Sequence, residues 1–312
     1  MEFFRKKTSF PFMGTRKIWY SISILLVTVS LVSLFTRGLN LAVDFTGGVT
    51  VEANFSKEPD IEAVRRAIEA AGIAEPQVQN FGSSRDLAIR LPPQPDGNTA
   101  DFRSKIAAVL QGLDAGAKIS RVEVVGPQVG ADLRESSIWA MVMTVILIFI
   151  YVAIRFNTLK LSIGAIVAAL HDPILVLGFF SLTQLTFDLA VVAAILAVIG
   201  YSLNDTVVVF DRIRENFRRV RRGTPLEIMN LSINETLSRT LMTSFVTALV
   251  VVAMLAFGGE ALRGFSLALI IGILVGTYSS IFVASAVALW LGASPADLMP
   301  PKKEQDEVDA LP

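Results

Sequence analysis

The stretch DLAVVAAILAVIGYSLNDTVVVFDRIRENFRRVRR, Asp188 to Arg222, decides the fold. It opens as an apolar run, Leu189 to Phe210, long enough to cross a bilayer, which takes about 20 residues. It closes as one of the most basic segments of the chain. Inside the apolar run stand Tyr201, Ser202, Leu203, Asn204 and Asp205. A carboxylate at mid-helix costs about 2.5–3.5 kcal/mol on insertion scales, so it faces a partner or a water-filled path. Helical spacing predicts that Tyr201, Asn204, Asp205 and Val208 share one face, with Asn204 and Asp205 pointing together into a helix bundle.

Working outward, composition agrees with a membrane protein. The chain has 312 residues, 53% of them hydrophobic and 18% charged, against about 25% charged in soluble domains. Formal net charge is zero. No cysteine is present, which excludes disulfides and thiolate metal sites, and the single histidine, His171, excludes a His-rich one.

Residues 1–17 form a short basic N-terminus, and 18–36 (Ile18 to Thr36) are an uncharged apolar run of spanning length. It exceeds the usual signal-peptide core of about 7–15 residues, and no A-x-A-like site follows, so a retained first span is expected. Residues 37–136 read as a separate domain. VTVEANF (Val49–Phe55), Pro76–Phe81, Asp86–Leu91 and about Ile119–Val125 have strand character, with a Gly82-Ser83-Ser84 turn. Ile61–Ala71, capped by Asp60, and about Ala100–Leu113 have helix character, the latter after the loop PPQPDGN. The order βαββαβ predicts a ferredoxin-like α+β fold. Residues 137–291 hold five more spans: Ile138–Ile154, Leu161–Leu182, Leu189–Phe210, Thr240–Phe257 and Phe265–Leu291, with a basic loop over 211–238. Residues 292–312 are a charged tail, read as disordered.

Lys and Arg set the orientation. They crowd the N-terminus, the 155–160 connection, the 211–222 segment and the tail (Lys302, Lys303), whereas the opposite short loops hold only Arg263. Both termini are therefore expected on the cytoplasmic side, with residues 37–136 outside. The run Asp211 to Arg222 is expected to lie along the membrane as an amphipathic helix, attracted to anionic lipids or contacting a partner.

Several motifs resemble one family. They are Gly38-Leu39-Asn40 with Asp44-Phe45-Thr46-Gly47-Gly48, Val125-Gly126-Pro127, His171-Asp172, Tyr201-Ser202-Leu203-Asn204-Asp205-Thr206, Asp211-Arg212-Ile213-Arg214-Glu215-Asn216, and Asn234-Glu235-Thr236-Leu237-Ser238-Arg239-Thr240. In order and spacing, from Ile18 to Leu291, the chain resembles the SecD/SecF family of the resistance–nodulation–division superfamily. The resemblance implies a polytopic α-helical membrane protein of six transmembrane helices, half of a two-repeat pump, with one extracytoplasmic α+β domain between helices 1 and 2. It implies a partner of SecD type, association with the SecYEG channel, with YajC and with SecA-driven preproteins, and use of the proton gradient in late polypeptide translocation at the bacterial inner membrane. A non-transducing scaffold and a small-molecule proton antiporter are the other readings. The outer domain, about 100 residues, is small for the antiporter. No nucleophile–base pair, nucleotide loop, cofactor motif or nucleic-acid signature argues for an enzyme or a nucleic-acid partner.

Asp205 is the expected proton-carrying carboxylate; a structural polar contact is the alternative. Arg239, at the start of the fifth span, is expected to gate it or else to anchor at the interface. Asn204, Thr240 and Thr243 are expected to hydrogen-bond along the path or to serve interhelical packing. Asp172, followed by the helix-kinking Pro173, belongs to the relay or satisfies a broken helix. Asp44, Phe45, Gly47 and Gly48 read as a hinge or interdomain contact, since paired glycines permit positive φ. The stripe Gly264, Ala268, Gly272, Gly276, Ser280, Ala284 and Ala288 reads as close helix packing, within the chain or against the partner.

Overall fold

In hydrocarbon a backbone satisfies its polar groups only within a helix or a closed barrel, and among the described residues six helices are long and apolar enough to cross: Phe12–Arg37, Pro127–Phe156, Leu159–Thr183, Leu189–Arg219, Pro225–Phe257 and Glu260–Trp290. The computed structural model describes residues 8–73, 76–93, 99–156, 158–220 and 222–298. Expectations placed on Arg5–Lys7, the middle of the PPQPDGN loop, Arg221 and the 299–312 tail with Lys302 and Lys303 lie outside the described residues.

The elements are α1 (Arg16–Arg37), β1 (Asn40–Leu41), α2 (Val43–Thr46), β2 (Gly48–Asn54), α3 (Ile61–Ala70), β3 (Gln77–Phe81), β4 (Ser83–Leu91), α4 (Thr99–Leu113), β5 (Lys118–Val125), α5 (Pro127–Phe156), α6 (Leu159–Thr183), β6 (Thr186–Phe187), α7 (Leu189–Arg219), α8 (Pro225–Phe257) and α9 (Arg263–Tyr278), the last continued by a π-helical segment Ser279–Ala284 and α10 (Ser285–Trp290).

The basic segment corrects one expectation. Residues 211–238 are not a loop, nor is 211–222 a separate helix along the membrane. Instead α7 continues unbroken to Arg219 and α8 begins at Pro225. The reason is amphipathicity: Ile213 and Phe217 are buried in one cluster with Ile228, Met229 and Ile233 of α8. Polar pairs reinforce the contact. Arg212 Nε donates to Glu235 Oε2 at 2.6 Å, and Asn216 Nδ2 to Ser232 Oγ at 3.0 Å. The turn between them needs only Val220 to Thr224, closed by a Thr224–Glu227 capping box with Pro225 in the first turn.

The small-residue stripe of the last span packs within this chain. A Cβ on Gly272 would meet Val198 of α7 at 2.0 Å, and one on Gly276 would meet Ser202 at 2.9 Å. Ser280 is fully buried, with its hydroxyl donating to Thr277 O at 3.1 Å. On the far side Gly178 of α6 receives Ser30 of α1, and Gly164 receives the Ala284 backbone. These contacts make α6, α7 and α9–α10 the inner bundle, flanked by α1, α5 and α8.

The inserted domain is the expected ferredoxin-like fold. Its sheet runs β3-β4-β2-β5, antiparallel throughout. Alternation in β2 sends Val49, Val51 and Ala53 into the core with Ile68 and Ile106 of the two helices. Asp60 caps α3, accepting from Glu62 N at 2.9 Å. The β3–β4 turn is tighter than expected: β4 already starts at Ser83, and Gly82 turns the chain at φ 81°. The sheet's second face is polar, and it stands over a two-stranded parallel pair, β1 with β6, which joins the end of α1 to the start of α7.

Candidate functional site

The buried stripe of α7 is Ser202, Asp205, Thr206 and Val209, at i, i+3, i+4 and i+7. Asp205 is 2% exposed, and its Oδ2 has no hydrogen-bond partner among the described residues. Across from it on α8 stands Arg239, whose charge attracts the carboxylate from beyond ion-pair distance. No ion pair joins Asp205 to Arg239 among the described residues, and Arg239 lies on the exposed side of α8. Thr240 is 1% exposed, and its hydroxyl has no partner among the described residues, as expected of a residue facing the same interior. Asp205 thus sits about 24 Å along the helix from Leu189, a buried carboxylate without a cation in contact.

Two expectations are corrected here. Asn204 is exposed rather than turned inward with Asp205, because successive helical side chains diverge by about 100°. Thr243 is exposed as well, and its hydroxyl donates back to the Arg239 and Thr240 carbonyls at 3.1 and 3.0 Å. Neither joins the interior cluster of this chain.

Asp172 of α6 is the best-connected acid in the bundle. It is fully buried; His171 Nδ1 lies 2.9 Å from its Oδ1, and Ser279 donates to its Oδ2 at 2.8 Å, with Ser202 as a further donor to that oxygen. The π turn of Ser279–Ala284 holds Ser279 in this contact; π-bulges gather at functional sites. His171 Nε2 is buried and unpartnered among the described residues. A second hydroxyl ladder crosses above: Tyr201 donates to Ser244 at 3.3 Å, and Ser244 and Thr277 share a bond at 2.7 Å. Sequence reasoning did not single out Ser244, Thr277 or Ser279; their one signal is hydroxyls recurring in otherwise apolar helices. Among the described residues, no three His, Cys, Asp or Glu side chains could hold a metal ion.

At the start of α7 a further group assembles. Asp188 caps the helix, accepting from Val191 N at 2.8 Å, and Asp44 Oδ2 accepts from Leu189 N at 3.2 Å. From the sheet, Gln79 Nε2 donates to Thr186 Oγ1 at 3.2 Å, and Arg90 donates to Asn40 Oδ1 at 3.3 Å and to Thr186 Oγ1. Burial holds the Arg90 guanidinium below its usual range, opposed by the attraction of Asp188 and Asp44. Burial also raises the Asp188 carboxyl, opposed by the Val191 amide. The glycines of the Asp44–Gly48 motif are packed against neighbours. Gly47 (φ 68°) would bring a Cβ within 2.8 Å of Pro127, and Gly48 (φ 129°) within 2.4 Å of the Leu91 carbonyl oxygen. Phe45 is buried beside Phe187, ring centroids 6.0 Å apart.

Fold and site define a polytopic helical membrane protein with a buried acidic cluster in its bundle and one ferredoxin-like domain. Two family profiles match, "Protein export membrane protein SecD/SecF, C-terminal" over residues 105–294 and "SecD/SecF GG Motif" over residues 32–59, and the chain belongs to the SecD/SecF family. It is 45% identical to the protein translocase subunit SecF of Vibrio alginolyticus, with 100% of this chain and 99% of that one covered. It is 44% identical to that of Pseudomonas aeruginosa, covering 96% and 97%. Among solved structures it resembles SecDF, a translocon-associated membrane protein from Thermus thermophilus, with TM-score 0.83 and 36% identity over 91% of this chain. A SecDF structure in a super-membrane-facing form matches at TM-score 0.69 and 36% identity over 92%. The chain spans 39% of the length of either SecDF chain.

Proposed function

We propose that this chain is a subunit of the protein-export machinery that, with a partner of SecD type, uses the proton motive force to promote late steps of polypeptide translocation. The observation that carries the reading is Asp205: a buried carboxylate whose outer oxygen is unpartnered among the described residues, on a membrane helix. Intramembrane carboxylates are costly and mark proton or ion paths. Asp172 with its serine donors extends the polar interior, and Arg239 acts on Asp205 from the facing helix.

The chain is placed in the bacterial inner membrane with both termini cytoplasmic and residues 37–136 periplasmic, on the Lys/Arg asymmetry of its short loops. Its partners are SecD, the SecYEG channel, YajC and SecA-driven preproteins. Anionic lipids are placed at the end of α7, where Arg155, Arg214, Arg218 and Arg219 line a cavity with Asp211 and Glu215. No catalytic chemistry is assigned to the chain.

The test is export into inverted membrane vesicles with and without a proton gradient, for wild type and Asp205→Asn, each shown to assemble with the SecD partner. The expected result is that Asp205→Asn assembles but loses the gradient-dependent increment. A retained increment moves the scaffold reading into first place.

A further inference from the structure

The polar face of the sheet and the start of α7 enclose a cavity of about 480 Å³. Charges line it from both sides: Arg90, Glu52, Arg121 and Glu123 from the sheet, Asp44 and Asp188 from the membrane part. Arg121 and Glu123 pair with each other on the sheet. Glu260 and Arg263 line the cavity too, Glu260 against Gly82 of the β3–β4 turn; among the described residues, two side chains of the sheet cross the gap by hydrogen bonds. Arg90 and Gln79 project from the same face of neighbouring strands, in the register that pairs Gln77 with Arg90, and both donate to Thr186. Thr186 lies two residues before Asp188, the cap of α7.

The two carboxylates that attract Arg90, Asp188 and Asp44, are the same two that accept the first amides of α7. Displacing the start of α7 therefore displaces Thr186 and Asp188, while Asn40 of β1 holds Arg90 from the strand paired with β6. The covalent links of the domain run elsewhere, to the end of α1 through β1 and α2 and to α5 through Gly126 and Pro127. Below the junction α7 is a single helix without proline down to Ser202 and Asp205, so an axial shift at one end is carried to the other.

We propose that Arg90, assisted by Gln79, is the coupling residue that ties the α+β domain to the N-terminus of α7, so that movement of α7 around Asp205 is delivered to that domain. The inference rests on the proton-transducing reading above. It assigns Arg90 a positioning role: the side chain transmits displacement and carries no proton.

The test uses the full chain assembled with its SecD partner in inverted vesicles. Arg90→Gln and Arg90→Lys are compared with wild type and Asp205→Asn for the gradient-dependent increment in export. The expected result is that Arg90→Gln falls to half the increment or less. Arg90→Lys lies between, because an ammonium cannot hold Asn40 and Thr186 with one planar fork. The chain has no cysteine, so Arg90→Cys combined with Thr186→Cys can be bridged by a bis-maleimide. Bridging should restore the increment that the unbridged double variant lacks, which a loss of folding could not produce. An Arg90→Gln protein with the full increment, or a bridged protein that stays uncoupled, overturns the inference while leaving the role of Asp205 intact. If Asp205→Asn itself keeps the increment, the transducer reading falls first and this inference with it.

Discussion

Asp172 and Asp205 are both buried acids in the same bundle, yet they are built differently. Asp172 is surrounded by donors from α6, α7 and the π segment, whereas Asp205 keeps an oxygen unpartnered among the described residues. The donors around Asp172 fix its geometry, while Asp205 Oδ2 and His171 Nε2 are left open among the described residues. Asp172→Ala strands His171 Nδ1 and the Ser202 hydroxyl, at about 1–3 kcal/mol per stranded group, and leaves Ser279 only its bond to the Gly276 carbonyl, so a clear drop in the thermal unfolding midpoint in detergent is expected. Thr240→Val removes a buried hydroxyl that has no partner among the described residues, so the unfolding midpoint should hold or rise. The burial of Asp205 was legible from its sequence as the acid in an apolar run. The outward turn of Asn204 and Thr243 was not, because lipid-facing and core-facing positions are both apolar and leave no periodic contrast to orient the helix. Ser279 was hidden for another reason: a π turn shifts the register by a residue and has no sequence signal.

Among the elements, the contact of α7 with α9 depends on glycine. A methyl on Gly272 would overlap Val198, and overpacking of this kind costs about 1–3 kcal/mol. Gly272→Ala is therefore expected to destabilise, and Val198→Ala in the same chain to recover most of the loss, as read by a double-mutant cycle of unfolding midpoints. In the α+β domain, Asp86 accepts from Ser83 at 2.6 Å and from Asn54, and these bonds hold its carboxyl below the usual range. A depressed folded-state pKa stabilises above the unfolded value near 3.8, and the contribution disappears as pH falls through the folded value. Amide exchange of β2 and β4 in the full chain, corrected for intrinsic rates, should show protection declining below that range, less so in Asp86→Asn. The six spans and the βαββαβ order were readable because each is a long run with its own period. The pair β1–β6 has two residues per strand and no period to read. The helix expected over 211–222 was read as lying along the membrane, and its continuation of α7 was masked by charge: the apolar seam of Ile213 and Phe217 is narrow, and its partner surface on α8 lies in the next element.

For the whole molecule, the uncovered surfaces matter most. Arg239, Thr243, Val246 and Val250 follow one another at i, i+4, i+7 and i+11 along the exposed side of α8. An arginine on an otherwise apolar face is costly in lipid, and the chain matches only 39% of a SecDF chain. That face is accordingly expected to meet a partner of SecD type. Val246→Trp is expected to lower recovery of the partner in co-purification, whereas Leu147→Trp on the exposed side of α5 is expected to leave it unchanged; equal recovery from both would reassign the seam.

The most direct measurement is proton flux. The complex of this chain with SecD is reconstituted in liposomes holding a pH-sensitive dye, and a proton gradient is imposed across the membrane. The account predicts a flux that disappears in Asp205→Asn and persists in Asp86→Asn, whose change lies in the α+β domain. An Asp205→Asn complex that conducts protons like wild type would contradict it and leave Asp205 a structural group.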